Sequence, residues 1–178
     1  IRDDVESRGL GDVYKRQYED CFVLCDGVQK LDEELTVFSA VPGRELWSGA
    51  NDTLREKIGE DYPRDTFRHE QDLLVTENGK TALFAGCAHC GIVNILKSAE
   101  DVLGSAPDAV FAGFHLYNPS LGKSEPDALV DAVGEKLRED KVAHYFTGHC
   151  TGKEAYERLK RKLGDRLGEM PAGSDFTV

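Results

Sequence analysis

Three histidines in this chain stand at equivalent places. Each ends a run of β-forming residues that closes on a glycine, and each precedes a helical stretch: Thr81-Ala82-Leu83-Phe84-Ala85-Gly86-Cys87-Ala88-His89, Ala109-Val110-Phe111-Ala112-Gly113-Phe114-His115 and His144-Tyr145-Phe146-Thr147-Gly148-His149. Loops at the carboxyl ends of strands in layered α/β folds converge on one crevice, so imidazoles placed there from separate strands can meet around an ion. A neutral imidazole coordinates through one nitrogen while an acceptor holds the other. A lone histidine at a strand end is most often a hydrogen-bonded loop residue. Three of the five histidines in three successive strand-loop-helix units instead point to a metal site at His89, His115 and His149. His144, inside a strand, and His69, ahead of a hairpin, read as structural.

The cysteines offer a rival chemistry. Cys87 and Cys90 bracket His89, and Cys150 adjoins His149. A structural zinc site or a thiol redox module on Cys87, Cys90 and Cys150 is therefore the second reading. Against it, structural zinc sites present two tightly spaced ligand pairs, and a redox Cys-x-x-Cys opens a helix in a βαβ setting. A third reading is a non-catalytic α/β binding domain in which the histidines are incidental.

The elements that must position these residues are legible from pattern. Asp72–Glu77 and Lys80–Ala85 are two strands joined by Asn78-Gly79, a hairpin turn that supplies positive φ. Ile92, Ile95, Leu96, Ala99, Val102 and Leu103 repeat at helical spacing after His89. A second helix is expected with Ser124 as cap, Pro126 in its first turn, and Leu129, Val130, Val133 and Leu137 as its buried stripe. Thr151-Gly152-Lys153-Glu154 reads as a capping box opening a third helix. Further expectations are strands at Cys21–Cys25 and from Leu35 to Val41, a short helix with Asn51 or Asp52 as its cap before Leu54–Ile58, and a closing strand at Ala172–Val178.

Length and composition set bounds. The 178 residues suffice for one domain with a real core. The net charge of −11 without a basic stripe argues against nucleic-acid binding. No apolar run approaches the roughly 18 residues that span a bilayer, and no secretory signal opens the chain, so a cytoplasmic location without membrane attachment is expected. Five cysteines, gathered beside histidines, fit free thiols in a reducing compartment. Residues 1–17 show no sustained periodicity. The stretch Arg8 to Gln17 resembles translated sequencing-adapter read-through, of the kind fused to fragmentary metagenomic reading frames. That expectation makes residues 1–17 non-native and residues 18–178 the C-terminal part of a single domain; a natural N-terminal arm is the alternative.

The segments Phe84-Ala85-Gly86-Cys87-Ala88-His89-Cys90-Gly91-Ile92-Val93-Asn94-Ile95-Leu96, Gly113-Phe114-His115-Leu116 and Tyr145-Phe146-Thr147-Gly148-His149-Cys150-Thr151-Gly152 resemble the metallo-β-lactamase-fold hydrolases. Within them they resemble the group similar to 7,8-dihydropterin-6-methyl-4-(β-D-ribofuranosyl)aminobenzene-5′-phosphate synthase. The resemblance implies an α/β fold, a four-layer αββα sandwich whose N-terminal portion is missing here. It implies that His89 and His149 are metal ligands, and that His115 stands where many relatives carry a bridging aspartate. The family's upstream His-x-His-x-Asp-His spacing does not occur in this sequence. The implied activity is that of a zinc-dependent hydrolase or related transferase acting on a phosphoester or acyl-type small molecule, with a pterin or phosphoribosyl compound as the implied substrate. One or two zinc ions, or manganese or iron in their place, would lower the pKa of bound water to about 7. The truncated chain alone is expected to be inactive.

Overall fold

The hairpin is the anchor of the architecture. In the computed structural model, which describes residues 25–119 and 121–178, β1 (Gln29–Lys30), β2 (Leu35–Ser39), β3 (Gln71–Glu77) and β4 (Lys80–Phe84) pair antiparallel in that order. Asn78 and Gly79 take φ of 50° and 76°, the two positive values that a two-residue turn between right-twisted strands requires. The N-terminal 17 residues, and all but the last residue of the expected Cys21–Cys25 strand, lie outside the described residues.

After β4 the connections change character. Helix α1 (Ile92–Leu103) crosses to β5 (Ala109–Ala112), which pairs parallel with β4. A small ribbon of β6 (Tyr117–Asn118) and β7 (Lys123–Ser124) precedes α2 (Asp127–Glu139). Then come β8 (His144–Thr147), α3 (Lys153–Leu163) and β9 (Leu167–Glu169), giving, among the described residues, a seven-stranded mixed sheet ordered β1-β2-β3-β4-β5-β8-β9. The parallel half sends its strands' carboxyl ends to one edge, where the three histidine loops begin.

Register explains the layering. Leu74, Leu83, Val110, Tyr145 and Leu167 are partners across five neighbouring strands, so they form one row on one face. All five are at most 1% exposed. They pack with Ile95, Leu96 and Ala99 of α1, Val130, Val133 and Leu137 of α2, and Ala155 and Leu159 of α3. Each buried Leu, Ile or Val side chain among them is worth about 1.5–3 kcal/mol. The buried Tyr145 hydroxyl is satisfied, donating to the Leu137 carbonyl at 3.2 Å. Arg158 on α3 ties the helix surfaces together by donating to Asp131 of α2 at 2.8 Å and to Asp127 at 2.7 Å.

The opposite face carries an aromatic row. Phe84, Phe111 and Phe146 are likewise register partners and stack at 4.8 Å between successive ring centroids. The C-terminal segment, expected as a strand, forms none and instead lays Phe176 over Phe146 at 4.4 Å and Phe111 at 5.4 Å. The last strand is β9, upstream. Phe84 remains 41% exposed.

Two helix starts and one helix also differ from expectation. Ser124 belongs to β7, and Pro126 occupies the cap position of α2, because its fixed φ of −55° already suits the turn. Gly152, not Thr151, caps α3 with φ 75°. Residues 49–53 make only a short 3-10 turn, with Ser48 Oγ accepting from the Ala50 N–H, and the chain then runs on through isolated bridges at Arg55–Arg64 and Ile58–Asp61. The helix does not propagate because Asn51 points inward, 3% exposed, and is engaged by another loop.

Candidate metal centre

Three loops leave the parallel strands side by side. Strand pairing continues into them, with the Gly113 N–H donating to the Gly86 carbonyl at 2.8 Å, so the segments bearing His89 and His115 start in contact. Thr151 holds the same edge from the other side. Its hydroxyl oxygen accepts from the Phe114 N–H at 2.9 Å and lies 2.6 Å from the Thr147 hydroxyl. The hydroxyl that the sequence pattern gives to a capping box is thus used to fasten the His115 loop to the His149 loop. Ala88, His115 and His149 all have positive φ, near 50°, a conformation uncommon for non-glycine residues and found where a loop is held for a purpose.

The His89 and His115 rings meet at 4.0 Å between centroids, inclined by 48°. His89 is fixed from three sides. Phe67 stacks on its ring at 4.6 Å; the Glu70 carboxylate accepts from the His89 and Cys90 N–H groups, each at 2.7 Å; and Asn51 contacts both its backbone and its ring. The Asn51 contacts fix a proton. Its amide nitrogen donates to the His89 carbonyl at 2.8 Å, so the atom facing His89 Nδ1 at 2.9 Å is the amide oxygen, an acceptor. His89 Nδ1 therefore carries the hydrogen, and Nε2 keeps a lone pair. Burial lowers the pKa of His89, opposed by the charges of Glu70 and Asp65.

His115 is 7% exposed, and both of its ring nitrogens are buried without a hydrogen-bond partner among the described residues. Burial, with the neighbouring His89 and His149 rings, pulls its pKa down to about 4, so the ring is neutral at physiological pH. An unpartnered buried polar group costs roughly 1–3 kcal/mol, and its persistence needs a reason.

His149 leans toward sulfur. Its Nδ1 lies 3.6 Å from Cys87 Sγ, and among the described residues the donor atoms of Cys87, His149 and Cys150 all fall within 4.8 Å of one another. His89 and His115 are outside that group. The Cys-x-x-Cys pair is split: Cys90 Sγ faces inward and donates to the Phe67 carbonyl at 3.5 Å, and burial raises its pKa far above the thiol range. Cys150 takes its place beside Cys87, its thiol donating to the Cys87 carbonyl at 3.4 Å and its pKa pushed up to about 12 by burial and the neighbouring thiol. A cleft of about 380 Å³ opens beside His149, lined by Gly152, Lys153, Tyr156, Glu169 and Met170. His69 is exposed, 3.8 Å from Asp65, and His144 is exposed at the start of β8; neither belongs to the Cys87, His149 and Cys150 group.

Sequence reasoning passes over Asn51, Glu70 and Thr151. Asn51 and Thr151 look like ordinary caps, and Glu70 sits beside a structural histidine. Only the adjacency of Glu70 to the hairpin that ends in the His89 loop hints at its role.

No protein-family model matches the sequence. The chain is 30% identical over 101 residues to the 7,8-dihydropterin-6-methyl-4-(β-D-ribofuranosyl)-aminobenzene-5′-phosphate synthase of Methanocaldococcus jannaschii, a match covering 56% of this chain and 32% of that protein. Its fold superposes on Tm1679, a metal-dependent hydrolase of the β-lactamase superfamily, with a TM-score of 0.70 at 20% identity, over 88% of this chain and 58% of the other. The chain thus spans about a third of the curated relative and somewhat over half of the solved one. Among the described residues no helix is long and apolar enough to cross a membrane. A mixed sheet carrying three helices on one face, with its histidine loops at the carboxyl ends of β4, β5 and β8, is the metallo-β-lactamase-type fold, and within it the sequence resembles the dihydropterin-related synthase.

Proposed function

We propose that residues 18–178 form the C-terminal part of a metal-dependent hydrolase or related transferase, with His89, His115 and His149 as metal-holding residues. The observation that carries this is the buried His115 ring, neutral and with both nitrogens unpartnered among the described residues. A divalent ion would satisfy one of them, and an all-imidazole set suits zinc first, with manganese or iron as alternatives. When bound, such an ion supplies Lewis-acid polarisation of a phosphoryl or acyl group.

The chain's own residues supply orientation. Asn51 keeps the His89 proton on Nδ1 and leaves Nε2 for the ion, Glu70 clamps the backbone of that loop, and Thr151 joins the two other loops. The cleft beside His149 offers Lys153 as a cation and Tyr156 as a flat surface, a pairing suited to a small anionic ring compound. Similarity to the dihydropterin-related synthase supports a pterin or phosphoribosyl substrate. The thiols of Cys87, Cys90 and Cys150, in no disulfide, suit a reducing, cytoplasmic compartment.

Equilibrium dialysis against zinc tests the reading. The wild-type chain is expected to take up zinc, and His115→Ala to weaken uptake by more than about 100-fold, beyond the roughly 10- to 100-fold effect of losing an outer-shell partner. Equal zinc affinity in the two proteins would remove His115 from the site. Turnover of a generic phosphodiester by this chain alone, abolished by a chelator, would contradict its assignment as an incomplete enzyme.

A further inference from the structure

We propose that Cys87, Cys150 and His149 form a second donor set, a thiolate-imidazole site for a thiophilic divalent cation such as zinc or cadmium, beside the histidine pair. The inference shares His149 with the functional reading above but rests on different atoms and a different readout.

The geometry carries it. The three donors come from two loops, at the ends of β4 and β8, and lie within 4.8 Å of one another, so that a small closing of the loops brings two sulfurs and one nitrogen within reach of one ion. His149 Nδ1 already faces Cys87 Sγ at 3.6 Å. The third loop leaves room for the sulfur. A Cβ on Gly113 would stand 2.5 Å from Cys150 Sγ and 3.5 Å from Cys87 Cα, so only glycine at the end of β5 lets the Cys150 thiol lie against the Cys87 loop. Gly113 has no positive φ, and the requirement there is space alone.

Chemistry favours a soft cation. Two thiolates and one imidazole leave the fourth tetrahedral position open, the donor set of a reactive zinc site and not of a closed structural one. Two thiolates also neutralise a divalent charge, and binding releases the thiol protons, including the one Cys150 donates to the Cys87 carbonyl. Cys90, turned inward onto the Phe67 carbonyl, takes no part. His149 is exposed on the cleft side, which gives the cation its entry.

Cobalt(II) is the probe, added to the reduced chain. A thiolate-to-cobalt charge-transfer band in the near ultraviolet, saturating at one ion per chain, is expected, together with zinc protection of the more accessible Cys87 from alkylation mapped by mass spectrometry. Cys87→Ser and Cys150→Ser should each weaken the band and cobalt affinity by more than about ten-fold. Cys90→Ser and His89→Ala should leave the band in place, and Gly113→Ala, which drives a methyl into the Cys150 sulfur, should diminish it. Cobalt bound with no charge-transfer band, or a band unchanged in both Cys87→Ser and Cys150→Ser, overturns the thiolate site while leaving the histidine reading intact. The alkylation experiment uses the unaltered chain, so it decides the matter even where a variant misfolds: Cys87 equally reactive with and without zinc would refute the proposal.

Discussion

Asp72→Asn is expected to stabilise the chain, and to do so far more at pH 8 than at pH 5. Asp72 opens the buried face of β3 beside Phe38, its register partner; it is 1% exposed, and among the described residues neither carboxylate oxygen has a hydrogen-bond partner. Burial, reinforced by the nearby Glu70 charge, raises its pKa from 3.8 to about 8. The unfolded chain gives up this proton near pH 4, whereas the folded chain keeps it until about pH 8. Across that interval the native state binds the extra proton, so stability falls as pH rises. The full contribution is present below pH 4 and is lost by the time pH passes 8. At 1.36 kcal/mol per unit the loss amounts to roughly 6 kcal/mol.

Asparagine has nearly the shape of the protonated acid but does not titrate. The variant should match the wild type to within about 1–3 kcal/mol in acid, where both bury an amide-like or acid group without partners. At pH 8 it should be more stable by several kcal/mol. Urea denaturation at a series of pH values measures this directly, and the difference between the two proteins cancels every other titrating group. A difference that stays constant from pH 5 to pH 8 would show that Asp72 is solvated or paired in the native state.

The contrast between what was legible in the sequence and what was not follows from the range of the interactions involved. The β3–β4 hairpin and α1 are dictated locally, by Asn78-Gly79 and by apolar spacing, and both appear within a residue or two of expectation. The convergence of His89 and His115 was also readable, because strand-end position is a topological property of repeated β-loop-α units. The partner of Cys87 was not. Sequence proximity pairs it with Cys90, but three residues on, the chain has turned through Ala88 at φ 55° and Cys90 faces the core, leaving Cys150, 63 residues away, as its neighbour. The C-terminal segment misled for a related reason. Its short apolar ending suits a strand, but Phe176 is drawn onto the Phe111–Phe146 stack, whose existence depends on the register of β5 and β8. Thr151 and Asn51 read as caps because a cap and a loop tether use the same hydroxyl or amide, and only the distant partner distinguishes them.

Glu70→Ala is expected to damage both stability and metal binding, and comparison with Asn51→Ala separates the two. Glu70 precedes β3 and reaches the loop after β4, where its carboxylate takes the N–H groups of His89 and Cys90 at 2.7 Å each. These are charge-assisted bonds on a loop whose neighbouring Ala88 and Cys90 are 1% exposed. Truncation leaves two backbone donors without an acceptor and no room for water at Cys90, a loss of about 2–5 kcal/mol. Part of that loss is returned at high pH, since removing the Glu70 charge eases ionisation of Asp72. The destabilisation by Glu70→Ala should therefore be smaller at pH 8 than at pH 5 and should lose its pH dependence in an Asp72→Asn background. Asn51→Ala removes one side-chain contact to the His89 ring and one to its carbonyl, a smaller cost to folding of about 1–2 kcal/mol. It also frees the His89 proton to move to Nε2, the nitrogen that the proposed ion needs, so zinc affinity should fall by about 10- to 100-fold. Calorimetric zinc titration alongside urea unfolding distinguishes the roles. If Asn51→Ala weakened zinc binding only in proportion to its loss of stability, Asn51 would be a folding residue and the tautomer argument would fail. If Glu70→Ala were neutral to folding, the loop would be held by its own turn and not by the carboxylate beneath it.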